Sequence, residues 1–257
     1  MNILPANKTI LITGGTSRLG QALVQKARIA GDSVFFTYYQ NKTEADSLQK
    51  LGAEGFHLDF ADTKAIEEFC AQLKTKIDHL DVLIHNAAAI RDHTVQNLTE
   101  EDWDQVMAVN LKAPYYLTKK LMPLLLKRKG GPPCPPGRPQ GAAPTAKIFF
   151  ITSRAAITGG FGISNYAASK AGLIGLAKSL AQELGKRQIL VNAVNPGFMK
   201  SKMTENLPEE VLNRHLEASP LSRYSDPEEV AEFLLYLSSD AMTQVTGQVF
   251  HFESRKI

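Results

Sequence analysis

Three side chains in the second half of the sequence can meet at one point and move a proton. They are the Ser153 hydroxyl, the Tyr166 phenol and the Lys170 amine, all within ITSRAAITGGFGISNYAASK. Ser153 closes an apolar, β-branched run, KIFFIT, that reads as a buried strand. Tyr166 and Lys170 are four apart in a helical pattern, which puts both on one face. An ammonium beside a phenol favours the phenolate, so the spacing predicts a Tyr166 that exchanges protons below the ordinary value of about 10. The spacing alone is not selective. It also occurs at Tyr38/Lys42, Tyr115/Lys119 and Tyr116/Lys120, and only the Tyr166 pair follows a strand that ends in serine.

That pair needs a scaffold and a reaction partner, and the first sixty residues supply candidates for both. KTILIT at Lys8–Thr13 reads as a strand, GGTSRLG as a glycine-rich turn, and QALVQKARIAG as a helix. Such a junction presents unpaired backbone N–H groups and the positive end of a helix dipole, which suits a pyrophosphate. A second strand, Asp32–Tyr38, closes a unit of dinucleotide-binding size. Its end, Tyr38-Tyr39-Gln40-Asn41-Lys42, has no carboxylate to hold a ribose 2′-OH. Lys42 or Arg18 would welcome a 2′-phosphate, so NADP is favoured over NAD.

Further along, Glu54–Phe60 reads as a third strand carrying Asp59, and Asp62–Ile77 as a helix with Ile66, Phe69, Leu73 and Ile77 on one face. Cys70 lies beside that face and reads as core. Leu80–His85 is a fourth strand that runs into Asn86-Ala87-Ala88-Ala89, where small residues allow a flat group to approach the backbone. His85 reads as a packed histidine. Thr99 caps a long helix reaching about Leu126, and Pro114 inside it predicts a distortion at Asn110. Asn110 could hold a water there or merely satisfy the freed backbone. Residues 128–146 hold six of the 13 prolines and no apolar periodicity, so they read as a surface insertion in which Pro132 and Pro135 frame a PxxP spacing. Ile189–Asn195 and Gly247–Phe252 complete the strands and Pro227–Leu237 is a further helix. The stretch at about 198–225, with Phe198, Met199, Met203 and Leu207, reads either as a lid over the crevice or as a packed helix and loop. The alternation specifies one Rossmann-type domain, a doubly wound parallel sheet of about seven strands with helices on both faces.

Composition excludes several classes. At 257 residues, 44% hydrophobic and net charge +3, the chain can bury a large core and offers no basic patch for nucleic acid. Cys70 and Cys134 are too far apart in sequence to suggest a disulfide framework or a metal cluster. No apolar run is long enough for a membrane span, and the N-terminus has no targeting pattern, so a soluble cytoplasmic protein is expected.

Taken in order, Thr13-Gly14 with Gly20, Asp59, Asn86-Ala87-Ala88, Asn110, Ser153, Tyr166, Lys170 and Pro196-Gly197 resemble the short-chain dehydrogenase/reductase family over nearly the whole chain. The resemblance implies that Tyr166 protonates a carbonyl oxygen, Ser153 orients it, and Lys170 lowers the phenol pKa while holding the nicotinamide ribose. Asn110 would anchor a relay water. Cofactor contacts would come from Gly14, Thr16, Ser17, Arg18, Leu19, Gly20, Tyr38, Asn41, Lys42, Asp59, Asn86, Ala87, Ala88, Pro196, Gly197 and Met199. Phe198 would join Ser153 and Tyr166 around the substrate.

YAASKAGLIGLAKSLAQEL, NPGFMKSKMT and VTGQVFHF are most similar to 3-oxoacyl-acyl-carrier-protein reductases, which implies NADPH, an acyl-thioester substrate, a homo-oligomer (dimer or tetramer) and carrier docking through Arg187 and Arg128. The sequence departs from the pattern in four places. Arg18 gives T-G-x-x-x-R-x-G, which resembles pteridine reductases, although those usually have Asp where Ser153 stands. The run after Asn86 lacks a final glycine, the insertion follows Arg128, and the tail is ESRKI. A dihydropteridine or dihydrofolate reductase, or a non-catalytic cofactor-binding scaffold, are the alternatives.

Overall fold

The computed structural model describes residues 7–127, 146–200, 204 and 208–255. The proline-rich segment before residue 146, with Arg128, Cys134 and the Pro132/Pro135 spacing, lies outside them, as do Met203 and Leu207. Seven strands form one sheet: β1 (Thr9–Ile12), β2 (Ser33–Tyr38), β3 (Glu54–His57), β4 (Val82–His85), β5 (Ala146–Ile151), β6 (Ile189–Asn195) and β7 (Val249–His251). All neighbours pair parallel in the order β3-β2-β1-β4-β5-β6-β7. The chain winds outward from β1 to β3, then returns to β4 and winds the other way. That reversal opens a crevice at the carboxyl ends of β1 and β4.

The two sheet faces follow from the period-2 alternation of strand side chains. Ile10, Ile12, Phe36, Ile84 and Phe149 point to one face and pack with α1 (Arg18–Ile29), α2 (Lys42–Lys50) and α9 (Pro227–Ser238). Leu11, Leu83, Ile148, Phe150 and Val191 point to the other and pack with α3 (Thr63–Lys76), α5 (Ala113–Leu125) and α7 (Ser164–Leu184). Strand residues buried on both faces explain the near-continuous apolar runs seen in the sequence. Cys70 sits in the α3 core, and burial pushes its thiol up to about 11. His85 stacks on Phe150 and bonds the Thr118 hydroxyl at 2.8 Å, as a packed histidine should. Among the described residues no helix is long and apolar enough to cross a membrane.

The helix expected from Thr99 to about Leu126 is interrupted where Pro114 predicts. α4 (Glu100–Met107), capped by the Thr99 hydroxyl on the Asp102 N–H, gives way to a π-turn over Ala108–Lys112 before α5. Pro114 has no N–H to give to the Asn110 carbonyl, and the backbone widens to bonds five residues apart, as from Ala113 N–H to Ala108 O. Strand ends fray by one to three residues from the sequence reading, most at β3, which stops at His57 rather than Phe60. The remaining helices are α6 (Ala155–Thr158) and α8 (Glu209–Glu217).

Candidate active site

Every strand facing the crevice contributes its carboxyl end, so residues far apart in sequence converge there. After β1 the chain turns through Gly14, whose φ is +66° and where a Cβ would sit 2.9 Å from Ala87 Cα. Gly15 lies against the Phe36 ring, and a Cβ on Gly20 would come within 2.3 Å of Gly14 O. These three positions have no room for a side chain, and the turn delivers the N-terminus of α1 to the crevice. Asn86, just past β4, ties the turn down: its Nδ2 donates to Thr13 O, Gly14 O and Ser17 Oγ at 2.9 to 3.0 Å. Ser17 Oγ in turn accepts from Gly20 N–H. The cradle is rigid, glycine-lined and aimed along a helix dipole, the donor set a pyrophosphate requires.

The expected cofactor residues divide by what they touch. Thr16 spends its hydroxyl on Gln40 O, Leu19 is buried in the α1 core, and Met199, half-buried, packs against the same core. Ala87 packs on the α5 side, Ala88 is part-exposed beside it, and Asp59 at the end of β3 accepts from Ala61 N–H. Tyr38 closes β2 against Phe36 and His57, and Asn41 adopts a left-handed conformation to start α2. Lys42 departs from the sequence reading: its ammonium pairs with Asp46 one turn along α2 at 2.8 Å, a spacing legible as an i,i+4 pair. Arg18, at the first position of α1, is exposed and forms no hydrogen bond or ion pair with the described residues. Among the described residues, Lys42 thus has a charged partner and Arg18 has none.

Tyr166 and Lys170 stand together on α7 beside Ser153, with electrostatics that differ from the sequence expectation. β5 ends at Ile151, and Thr152 Oγ1 donates to Lys170 O while Lys170 Nζ donates to Ile151 O at 2.8 Å, which staples α7 to the strand. The ammonium stands 5.7 Å from the centre of the Tyr166 ring. Burial holds Lys170 down at about 8. Burial likewise pushes the Tyr166 phenol up, opposed by a hydrogen bond from Ser153 and reinforced by the Asp92 carboxylate. The depression of Tyr166 by Lys170 that the spacing predicts does not appear: burial is the largest influence on both groups, and Lys170 is not among the charges that move the phenol. The other Tyr/Lys pairs lead elsewhere. Tyr116 and Lys120 close on Glu67 at the surface, and Tyr115 is exposed.

Asn110 is fully buried at the π-turn and latches two segments. Its Oδ1 accepts from Ala89 N–H at 2.7 Å, and its Nδ2 donates to Ala89 O and to Ser169 Oγ. Ser169 donates to Tyr166 O. Both donors of the amide are thus committed to protein, and the side chain positions the loop after β4 and the first turn of α7. Three contributors escaped the sequence reading. Asn165, in the first turn of α7, accepts from Tyr166 N–H and donates to Arg91 O, Ser169 links Asn110 to Tyr166 O, and the Asp92 charge acts on the phenol. The Asn-Tyr and Ser-Lys neighbours within SNYAASK were the only local signal for the first two.

Pro196 and Gly197 follow β6, with Gly197 at φ +79° and Gly197 N–H held by Asn195 Oδ1. Phe198 comes next, stacked on His215 of α8 at 4.0 Å and beside Tyr224 at 5.6 Å. Of the two arginines expected from the sequence to meet a carrier protein, Arg187 lies on the short turn Gly185–Arg187 that follows α7.

Comparisons agree with this arrangement. Residues 15–254 match a family model described as Enoyl-(Acyl carrier protein) reductase. A 3-oxoacyl-[acyl-carrier-protein] reductase FabG of Thermotoga maritima is 39% identical over 249 residues, covering 94% of each chain. Its counterpart from Aquifex aeolicus is 34% identical, covering 98% of each. A solved Pseudomonas aeruginosa RhlG/NADP active-site complex superposes with a TM-score of 0.87 at 26% identity, covering 98% of this chain and 97% of that one. With the glycine cradle, the half-buried Tyr166 beside the buried Lys170, and a seven-stranded sheet wound about β1 and β4, this chain belongs to the short-chain dehydrogenase/reductase family, oxidoreductases that act on carbonyl and hydroxyl carbons.

Proposed function

We propose that the protein reduces the 3-oxo group of an acyl thioester, carried by acyl carrier protein, with NADPH as reductant. The observation that carries this reading is the Ser153 hydroxyl hydrogen-bonded to the Tyr166 phenol, with Lys170 beneath the ring. Two hydroxyls at one point hold a single oxygen. Reduction of a ketone ends with a proton on that oxygen, whereas reduction of an enoyl double bond ends with a proton on carbon. The names of the Thermotoga and Aquifex relatives support the first outcome, although the family model is described by the second.

The pyrophosphate suits the cradle from Gly14 to Gly20 and the N-terminus of α1, and Arg18 is placed to meet a 2′-phosphate. Asn86, Ala87, Ala88 and the Pro196–Met199 segment form the far wall toward the nicotinamide, and Asp59 the adenine end. When bound, the dihydronicotinamide supplies a hydride equivalent to the carbonyl carbon. Ser153 orients the carbonyl by donating to its oxygen, and Tyr166 gives that oxygen its proton, a transfer worth about 10²–10⁴ in rate. The phenol, raised by burial above its ordinary value of about 10, is protonated at neutral pH, the form a reductase needs at the start of each cycle. Lys170 stabilises the phenolate left behind, an interaction strengthened by exclusion of water.

Purified protein is assayed for NADPH oxidation with acetoacetyl thioester, crotonyl thioester, a dihydropteridine and no substrate. The reading expects turnover with the acetoacetyl thioester. Turnover of the enoyl or the pterin alone overturns it, the latter being the alternative that Arg18 keeps open. NADPH binding without any turnover supports the scaffold instead, against which the assembled Ser153, Tyr166 and Lys170 argue. Homo-oligomerisation and carrier docking through Arg187 belong to the same proposal.

A further inference from the structure

The tail Glu253-Ser254-Arg255 is neither glycine-rich nor solvated: its charged groups are buried under the segment that carries Phe198. The side chains of Arg255 and Glu253 are 8% and 2% exposed, and Arg255 Nε donates to Glu253 Oε2 at 2.5 Å. Glu253 Oε1 accepts from Asn195 Nδ2, at the end of β6. From the same guanidinium, Nη1 lies 2.7 Å from His215 Nδ1 on α8, and its plane stands 5.5 Å from the Phe198 ring centre. The backbone is locked alongside. Ser225 N–H donates to Phe198 O, Ser225 Oγ donates to Phe252 O, and a Cβ on Gly197 would collide with Ser225 Oγ and Phe252 O. One buried guanidinium therefore joins the tail, the end of β6 and α8 around a single aromatic ring that borders a cavity of about 270 Å³.

A buried ion pair of this kind is weak evidence for stability, since desolvation offsets much of its attraction. It is better explained by what it fixes. We propose that Arg255 is a positioning residue for the substrate site: it holds Phe198 and α8 against the tail and the end of β6 and so sets the affinity for the acyl chain, without touching the reacting atoms. Substrate as a class rests on the function proposed above; the latch itself rests on these contacts alone.

The latch has a chemical signature. Guanidinium only donates hydrogen bonds, so His215 Nδ1 must carry a lone pair, and the bond exists only while the imidazole is neutral. Facing His215 are Arg255 and Glu253 from the tail, Arg154 from the turn before α6 and Arg214 on α8 itself. Burial first, then the Arg255 and Arg154 charges, hold the imidazole below its ordinary 6.5, with Glu253 opposing. Neutral His215 is thus kept at pH 7, and the bond is lost only as pH falls through that lowered value.

The test compares the full-length wild type with Arg255→Met, which keeps the stem volume, Arg255→Lys and His215→Gln. With acetoacetyl thioester, Arg255→Met should raise KM about tenfold while kcat stays within about threefold and NADPH affinity within about twofold. Lysine should recover part of the loss because it can keep only one of the two bonds. Wild-type KM should rise as pH falls below the ordinary imidazole value of about 6.5 and through the lowered one, and His215→Gln, which retains an acceptor but cannot titrate, should show no such rise. Hydrogen exchange across Glu209–Glu217 gives a readout independent of substrate and should quicken in Arg255→Met and in wild type at the lower pH. An unchanged KM together with unchanged exchange in the Arg255 variants overturns the latch, as does a KM whose pH dependence is the same in His215→Gln as in wild type. If wild type fails to turn over the thioester, the functional reading fails while the exchange measurement still decides the latch.

Discussion

Lys170→Met separates what the buried lysine does for catalysis from what it does to the fold. Its ammonium is held at about 8 instead of 10.5 by burial alone. At about 1.4 kcal/mol per pH unit, the charged form costs the folded state about 3 kcal/mol at neutral pH. The folded value lies below the unfolded one, so the unfolded chain binds more protons between about pH 8 and 10.5. Stability should therefore rise with pH through that window and level off above it. Methionine fills the volume without the charge, but leaves Ile151 O without its 2.8 Å donor, a loss of about 1–3 kcal/mol. The two effects nearly cancel at pH 7, so the variant should unfold within about 2 kcal/mol of wild type there while losing its turnover. Lys147, whose ammonium donates to Leu237 O, Ser239 O and Met242 O, is also held at about 8 and titrates in the same window. The measurement is accordingly a difference: urea unfolding of both proteins at several pH values from 7 to about 10.5. Wild type should gain on the variant as pH rises. A difference that stays flat would refute the claim that desolvation governs this site.

Three further outcomes follow from the same contacts. Gly20→Ala sets a Cβ 2.3 Å from Gly14 O, a backbone atom that cannot step aside, so NADPH affinity measured by fluorescence should fall at least tenfold. Arg18→Ala should weaken NADPH by about tenfold and leave NADH unchanged, whereas Lys42→Ala, which only releases Asp46, should change neither by more than about twofold; the reverse result would return the 2′-phosphate to Lys42. Asn110→Ala strips Ala89 and Ser169 of their shared partner, and thermal unfolding should report a loss of about 2–4 kcal/mol together with a lower kcat.

Much of this was legible in the sequence because the signals were local. Apolar runs buried on both faces of a parallel sheet gave seven strands to within a few residues, and the missing N–H of Pro114 announced a distortion at Asn110, which takes the form of a π-turn. What stayed hidden was set by distance or by burial. Nothing near ESRKI signals that Arg255 would meet Phe198 and His215, 57 and 40 residues away, since that contact exists only once β6, α8 and β7 are stacked. Tyr166 was placed correctly but its acidity was not, because spacing encodes the attraction to Lys170 and not the desolvation that opposes it. Lys42 is the opposite case: Asp46 stood four residues on, in a stretch read only as a strand end, and the pairing rule for helices was enough to find it.

The central claim is that Tyr166 delivers the proton to a substrate carbonyl oxygen. Tyr166→Phe removes one oxygen atom and keeps the ring over Lys170, so nicotinamide absorbance should show acetoacetyl-thioester reduction falling by at least about 10² while NADPH affinity stays within a few-fold. Retained turnover in that variant would contradict the account.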